Sequence, residues 1–241
     1  MCPPAGFQGM ARSETPTGEN PEAVRIWLLG GLRVSVGPRT IEESAWRLRK
    51  AASLLKLLAL APGHRLHREQ AIDLLWPNSG KIAASNNLRR TLHSARRTLD
   101  PHPPAGSHYL ASRKEQLILC PGGRLWVDVE AFKEAAATAR HSKDPAAYRA
   151  ALDLYAGDLL PEDRYEEWAE ERRQELRRMF LSVLLELATV HEKRGEHGRG
   201  LEAFRRAVAE EPTLEEGHAG LMRLYTLLGQ EPRHGQCTLH L

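Results

Sequence analysis

Apolar residues recur at helical spacing between positions 84 and 99, and this pattern constrains the segment to one amphipathic helix. At about 100° per residue, five of them fall within about 80° of the helix circumference: Ala84, Leu88, Leu92, Ala95 and Leu99. A stripe of this width has to pack against a core. We therefore predict a helix over 84–99 that is buried along one side, with Ser85 or a near neighbour as its N-cap.

The opposite side of this helix is polar and strongly basic. The residues that face outward on the helical wheel are Asn86, Arg90, His93 and Arg97. Arg89 and Arg96 lie along one flank, and residues 74–99 include no Asp or Glu. In a DNA major groove, Arg suits guanine O6 and N7, and Asn suits adenine N6 and N7. The pattern predicts base recognition by the outward row and phosphate contacts by Arg89 and Arg96.

A solvated helix face with surplus arginine is the alternative, because a lone basic helix is weak support for nucleic-acid binding. The distribution of charge favours a polyanionic partner. Residues 24–120 carry 16 Lys and Arg against 6 Asp and Glu, whereas residues 121–241 carry 17 against 22. A basic half joined to an acidic half indicates a polyanion-binding domain followed by a module of different function, with uneven surface charge as the other explanation.

The elements before the basic helix can be predicted from turn and helix signals. Short β-rich runs broken by Gly30–Gly31 and Gly37–Pro38 predict two or three antiparallel strands. Two helices are predicted next, from Leu48 to Ala61 and from Arg68 to Trp76, where Pro77 ends the second.

A hairpin is predicted after the basic helix, at residues 109–119. Its tip bears Arg113 and Lys114, which suit phosphate or minor-groove contact, although ordinary polar turn residues are an alternative at such a tip. Strands, three helices and a hairpin follow the order of a winged helix-turn-helix with an N-terminal sheet. The fold class that we predict is mainly α with small β elements, with this domain at residues 23–122.

The second half is predicted to be all helical, opening with Asp128 as a helix cap. Residues 181–214 fit the 34-residue tetratricopeptide (TPR) pattern. The small, aromatic, small and proline positions of the second helix of that pattern are met by Gly200, Phe204, Ala207 and Pro212. A second unit begins at residue 215. The apolar stripes of such helices are predicted to be core, a ligand box being the less favoured interpretation.

The chain resembles bacterial regulators in which an OmpR-like winged helix is joined to a bacterial transcriptional activator domain (BTAD), the SARP-type activators and their larger ATPase-containing relatives. The likeness spans about residues 24–232. It rests on four segments in the right order: "LLGGLRV", "REQAIDLLWP", "ASNNLRRTLHSARRTLDP" and "LWVDVEAF".

The resemblance implies a recognition helix at 84–99, a wing at 109–119 and a TPR-like activator domain at 126–232. It also implies that the chain binds promoter repeats in double-stranded DNA and contacts RNA polymerase. We expect a fragment of about 22–124 to fold by itself, because the hairpin completes its core. The alternative function is a TPR-like interaction scaffold whose basic domain binds an acidic protein.

The end of the chain is predicted to be a shortened unit. Leu221, Leu224, Tyr225 and Leu228 form an apolar stripe that a further helix would cover in a full repeat. We expect this stripe to be exposed, in a shortened relative or fragment of a longer regulator, and to favour self-association or docking of a further regulatory domain. Residues 233–241 are predicted to form a frayed tail, and residues 1–22 a disordered leader.

No enzyme, cofactor or metal site is predicted. In "NSGK" a P-loop would need Gly rather than Leu75 six residues before the Lys. His234, Cys237 and His240 lie in the predicted tail without a fourth ligand. The cysteines are scattered and fit neither a disulfide framework nor a metal site. Residues 1–22 lack the basic region and apolar core of a signal peptide, and no apolar run is long enough to span a membrane. We therefore expect a cytoplasmic protein without a membrane partner.

Overall fold

The computed structural model describes residues 23–101 and 109–229. Its strands are β1 (Val24–Trp27), β2 (Arg33–Val36), β3 (Arg39–Ile41), β4 (Arg65–His67), β5 (Leu110–Arg113), β6 (Gln116–Leu119) and β7 (Leu125–Val127). Its helices are α1 (Arg49–Leu60), α2 (Arg68–Leu75), α3 (Lys81–Leu99), α4 (Asp128–Ser142), α5 (Pro145–Leu154), α6 (Glu167–Lys193), α7 (His197–Glu210) and α8 (Glu215–Leu227). The predicted fold class, mainly α with small sheets, is confirmed.

The first half is a three-helix unit held between two small sheets. One sheet has the strand order β3-β2-β1-β7, and the other has the order β4-β6-β5. The predicted antiparallel strands β1 to β3 are confirmed, as is the hairpin β5–β6. The strands β4 and β7 were not predicted, because each has only three residues and is defined by its neighbour in the sheet rather than by a local pattern.

The two halves share a sheet. Strand β7 pairs in parallel with β1, with Ile26 opposite Val127, so the chain passes from the sheet of the first half straight into α4. The predicted cap role of Asp128 is wrong, because α4 has no side-chain cap bond at its N-terminus. Instead the buried carboxylate of Asp128 accepts hydrogen bonds from the backbone N–H groups of Leu28 and Leu29, at 2.9–3.0 Å. Burial raises the pKa of the Asp128 carboxyl, and these bonds oppose the rise.

A second junction joins α1 to the loop between α5 and α6. The side chain of Lys56 is buried, and its ammonium group lies 2.5 Å from Asp163 Oδ2 and 3.0 Å from Glu162 Oε1. Burial raises the pKa of Glu162, but hydrogen bonds from backbone and from Lys56 outweigh it and the pKa is lowered overall. The expectation that a fragment ending at residue 124 folds by itself is therefore not supported, because that fragment lacks β7 and both acidic partners of Lys56.

The helices of the second half stack as pairs, as the repeat pattern predicts. Gly200, Phe204 and Ala207 of α7 are buried between α6 and α8, whereas Pro212 is exposed in the turn that follows. The side chain of Phe204 occupies the space in front of Gly220 of α8, where an added Cβ would lie 2.4 Å from Phe204 Cε1. The small residues of these helices thus serve close packing rather than a ligand site.

We expect Gly220→Ala to lower the free energy of unfolding by roughly 1–3 kcal/mol, because the new methyl group overpacks the contact with Phe204. The matched control is Gly198→Ala in α7, where an added Cβ meets nothing within 4 Å. The control is expected to be neutral or to stabilise by up to about 1 kcal/mol, since Ala favours helix. Urea unfolding followed by circular dichroism measures both changes, and equal effects would contradict the packing described here.

The apolar stripe of α8 is more buried than the sequence predicted. Leu224 is fully buried against α7, and Leu221 and Tyr225 are partly buried against the core. Of the four residues only Leu228 is exposed. We expect a Leu224→Glu change to bury an unpaired charge and to destabilise the packing of α8 on α7.

Some of the sequence predictions fall outside the described residues, namely the leader 1–22 and the tail 233–241 with His234, Cys237 and His240. Within 23–101 and 109–229, no helix is long and apolar enough to cross a membrane.

Candidate nucleic-acid interface

The helix α3 has the two-sided character that its sequence predicts. The five residues of the predicted apolar stripe are all buried, and Thr91 is buried beside them. On the other side, Asn86, Arg90, His93 and Arg97 are all exposed. Because the buried stripe packs against the core, the helix cannot rotate, and these four side chains point away from the protein along its length.

The helix begins three residues earlier than predicted. Its N-cap is Gly80, which makes no side-chain cap bond, and the expected cap at Ser85 lies inside the helix. The added turn contains Lys81, Ile82 and Ala83, all of them exposed. In helix-turn-helix proteins the N-terminal residues of the recognition helix contact base edges, so this turn belongs to the candidate interface.

The wing is fixed to the start of α2. The backbone N–H of Arg68 donates to the carbonyl oxygen of Glu115 at 2.8 Å, and its guanidinium group donates to Ser112 Oγ at 3.3 Å. Lys114, at the tip of the wing, has a left-handed backbone with φ of 54°. Its side chain and that of Arg113 are exposed. The sequence reasoning missed Arg68, whose position at the start of a helix gave no signal of a contact 44 residues away.

Arg96 connects α3 to the other end of the wing. Its Nε donates to the carbonyl oxygen of Leu110 at 2.9 Å, and the side chain is only partly exposed. Burial lowers the pKa of this guanidinium group. The structure thus gives Arg96 a bond that positions the wing, whereas Arg89, its counterpart one heptad earlier, is exposed. The two flanking arginines, paired by the sequence, differ in what they contact.

The C-terminus of α3 is held by the N-terminal sheet. Arg39 of β3 donates hydrogen bonds to the carbonyl oxygens of Thr98 and Leu99, which have no partner within the helix. A cation at this end also complements the helix dipole. With Arg96 on the wing, α3 is therefore fastened to both sheets, and its exposed face is presented by a rigid frame.

The exposed surface of α3 and the wing is strongly basic. The exposed residues on these two elements are the predicted Asn86, Arg89, Arg90, His93, Arg97, Arg113 and Lys114, together with Lys81. Two acidic residues lie close to basic partners: Glu115 in the wing is 3.8 Å from Arg68, and Glu69 of α2 is 3.9 Å from His67. The arrangement is suited to bind a polyanion and to place guanidinium and amide groups in a groove.

Comparison with known proteins adds two findings. A family model for the bacterial transcriptional activator domain matches residues 127–232. Among solved structures, Mycobacterium tuberculosis EmbR in complex with a low-affinity phosphopeptide has a similar fold, with a TM-score of 0.53 and 16% sequence identity. No curated protein matches the sequence.

The likeness to EmbR covers 88% of this chain, so it includes both halves, and it extends over 66% of the length of EmbR. At 16% sequence identity, the likeness to EmbR shows a shared fold and nothing beyond it. The family match identifies the helical half, from α4 to the end of α8, as a bacterial transcriptional activator domain. Residues 127–232 therefore belong to the bacterial transcriptional activator domain family, and the chain as a whole shares its fold with EmbR.

Proposed function

We propose that this chain is a sequence-specific DNA-binding transcriptional activator that inserts α3 into the major groove of promoter repeats. The observation that carries the proposal is the row Asn86, Arg90, His93 and Arg97, exposed on a helix whose other side is buried. Arg is suited to guanine and Asn to adenine, so the row has the chemistry to distinguish base pairs.

Phosphate contacts orient the protein on the duplex in this proposal. Arg89 lies on the flank of α3, and Arg113 and Lys114 lie at the tip of the wing, where they reach the backbone or the adjacent minor groove. Arg96 contributes by fixing the wing to α3 through the carbonyl of Leu110. A wing held at both ends keeps its cations at a constant distance from the recognition helix.

Activation is assigned to protein surfaces that recruit RNA polymerase while the winged helix holds the promoter. The activator-domain match supports this role for the helical half. The shared sheet and the bonds of Asp128 support a fixed orientation of the two halves, so that a bound promoter positions the helical domain. The proposed mechanism requires no catalytic residue and no cofactor.

Selection of bound sequences from random duplex DNA tests the proposal. We expect a defined motif, bound about a thousandfold or more tightly than bulk DNA at physiological salt. The logarithm of the affinity should fall linearly with the logarithm of salt concentration, by about 0.9 for each phosphate contacted. Equal binding of every duplex would contradict sequence-specific recognition.

The alternative is a helical-repeat scaffold whose basic domain binds an acidic protein. One observation favours a partner on the helical half, namely an open groove of about 680 Å³ lined by α6 and the start of α8, including Leu181, Leu185 and Leu214. Sequence selection from random duplex DNA distinguishes the two functions, because only a protein that recognises bases yields a selected motif. A chain that selected no motif but bound an acidic protein with salt dependence would be assigned to the scaffold function.

A further inference from the structure

Ile82 is the most exposed large apolar residue in the described part of the first half, and it has no packing role there. Its side chain is 83% exposed, while the other large apolar side chains exposed in the described part of the first half, Leu48 and Leu74, are 41% and 39% exposed. It lies in the first turn of α3, beside Lys81 and Ala83. An Ile at such a position costs helix propensity relative to Ala and gains no burial within the chain.

The position of Ile82 on the helix is that of the proposed base-reading row. Spacings of four, four, three and four residues lead from Ile82 through Asn86, Arg90 and His93 to Arg97. At about 100° per residue these five lie within about 80° of one another, opposite the buried stripe. Ile82 therefore faces whatever surface this row faces, one turn before Asn86.

The chemistry of Ile82 restricts what it can recognise there. It has no donor and no acceptor, so it can gain only from an apolar group. In the major groove the apolar group on a base edge is the C5-methyl of thymine. We infer that Ile82 is a specificity-determining residue of α3 that contacts the methyl group of a thymine at one end of the bound site. The inference rests on the proposed function.

Replacing single thymines by deoxyuridine tests the contact, because this change removes the methyl group and leaves base pairing intact. The probe is the duplex selected by the wild-type protein, with each thymine replaced in turn. We expect one replacement to weaken wild-type binding about fourfold, from about 0.8 kcal/mol per buried methyl-sized group at 1.4 kcal/mol per tenfold. That thymine should lie at one end of the bases protected by α3.

The variant Ile82→Ala should bind the unmodified duplex about fourfold more weakly and should no longer respond to deoxyuridine at that position. Ala favours helix, so the variant should keep its thermal stability. The control Met222→Ala truncates another exposed apolar side chain, on α8, and should leave both affinities unchanged.

Two results would overturn the inference while leaving the proposed function in place. In one, no thymine is sensitive to deoxyuridine although a motif is selected. In the other, Ile82→Ala keeps the full loss at the sensitive thymine, which assigns the methyl group to a different residue. Failure to select any motif would instead overturn the proposed function, and this inference with it.

Discussion

Replacing Asp163 by Ala should lower the free energy of unfolding by about 3 kcal/mol. Asp163 is 3% exposed and holds the buried ammonium group of Lys56 at 2.5 Å. Removing one partner of a buried pair leaves an uncompensated charge, which costs about 3–5 kcal/mol. We place the expected loss at the lower end because Glu162 remains 3.0 Å from the same ammonium group.

Urea unfolding of the full chain measures this loss. Two further variants test whether the loss comes from breaking the Lys56–Asp163 pair. Glu171→Ala removes an exposed acid from α6 and should change stability by less than about 0.5 kcal/mol. The double variant Lys56→Met with Asp163→Leu removes both charges and should recover most of the loss, since apolar replacements of buried pairs are often neutral. A single variant as stable as wild type would show that the pair does not hold the halves together.

The second large effect is expected on DNA binding. Arg90→Ala and Arg97→Ala should each weaken binding to the selected duplex by about 1–3 kcal/mol and relax base preference at one position. Both side chains are exposed on α3, so neither change should lower stability appreciably. If the two positions act independently, the double variant should lose the sum, about 2–6 kcal/mol.

Arg89→Ala distinguishes phosphate contact from base recognition. We expect it to weaken all duplexes about equally and to reduce the salt slope by about one, without changing the selected motif. Arg178→Ala, an exposed arginine on α6, is the control for loss of a positive charge away from α3. An unchanged motif and affinity for Arg90→Ala would mean that α3 does not face the bases as proposed.

The sequence by itself determined the features that depend on local periodicity. The buried and exposed sides of α3 follow from a period of about 3.6 residues, so the residue pattern alone assigns Leu88 and Arg90 to opposite sides of the helix. The wing tip at Lys114 followed from turn signals, and the packing of Gly200 and Phe204 followed from the repeat. Most of the proposed site is of this kind.

The start of α3 was less accessible to sequence reasoning. Gly80 offers no side-chain cap, and Ser85 gave a stronger local signal although it lies inside the helix. Ile82 was left out of the candidate row for this reason. Only the extended helix places it in line with Asn86.

Tertiary structure alone decided the contacts between residues far apart in the chain. Strand β7 exists because β1 lies beside it, and Asp128 serves the backbone of Leu28, 100 residues away, rather than its own helix. Lys56 has the local pattern of an ordinary polar position on an amphipathic helix, yet it is buried because an acidic turn from the other half closes over it. A local pattern encodes which side of a helix or strand is apolar. The partner of a buried polar group depends on which distant segments pack against it in the tertiary structure.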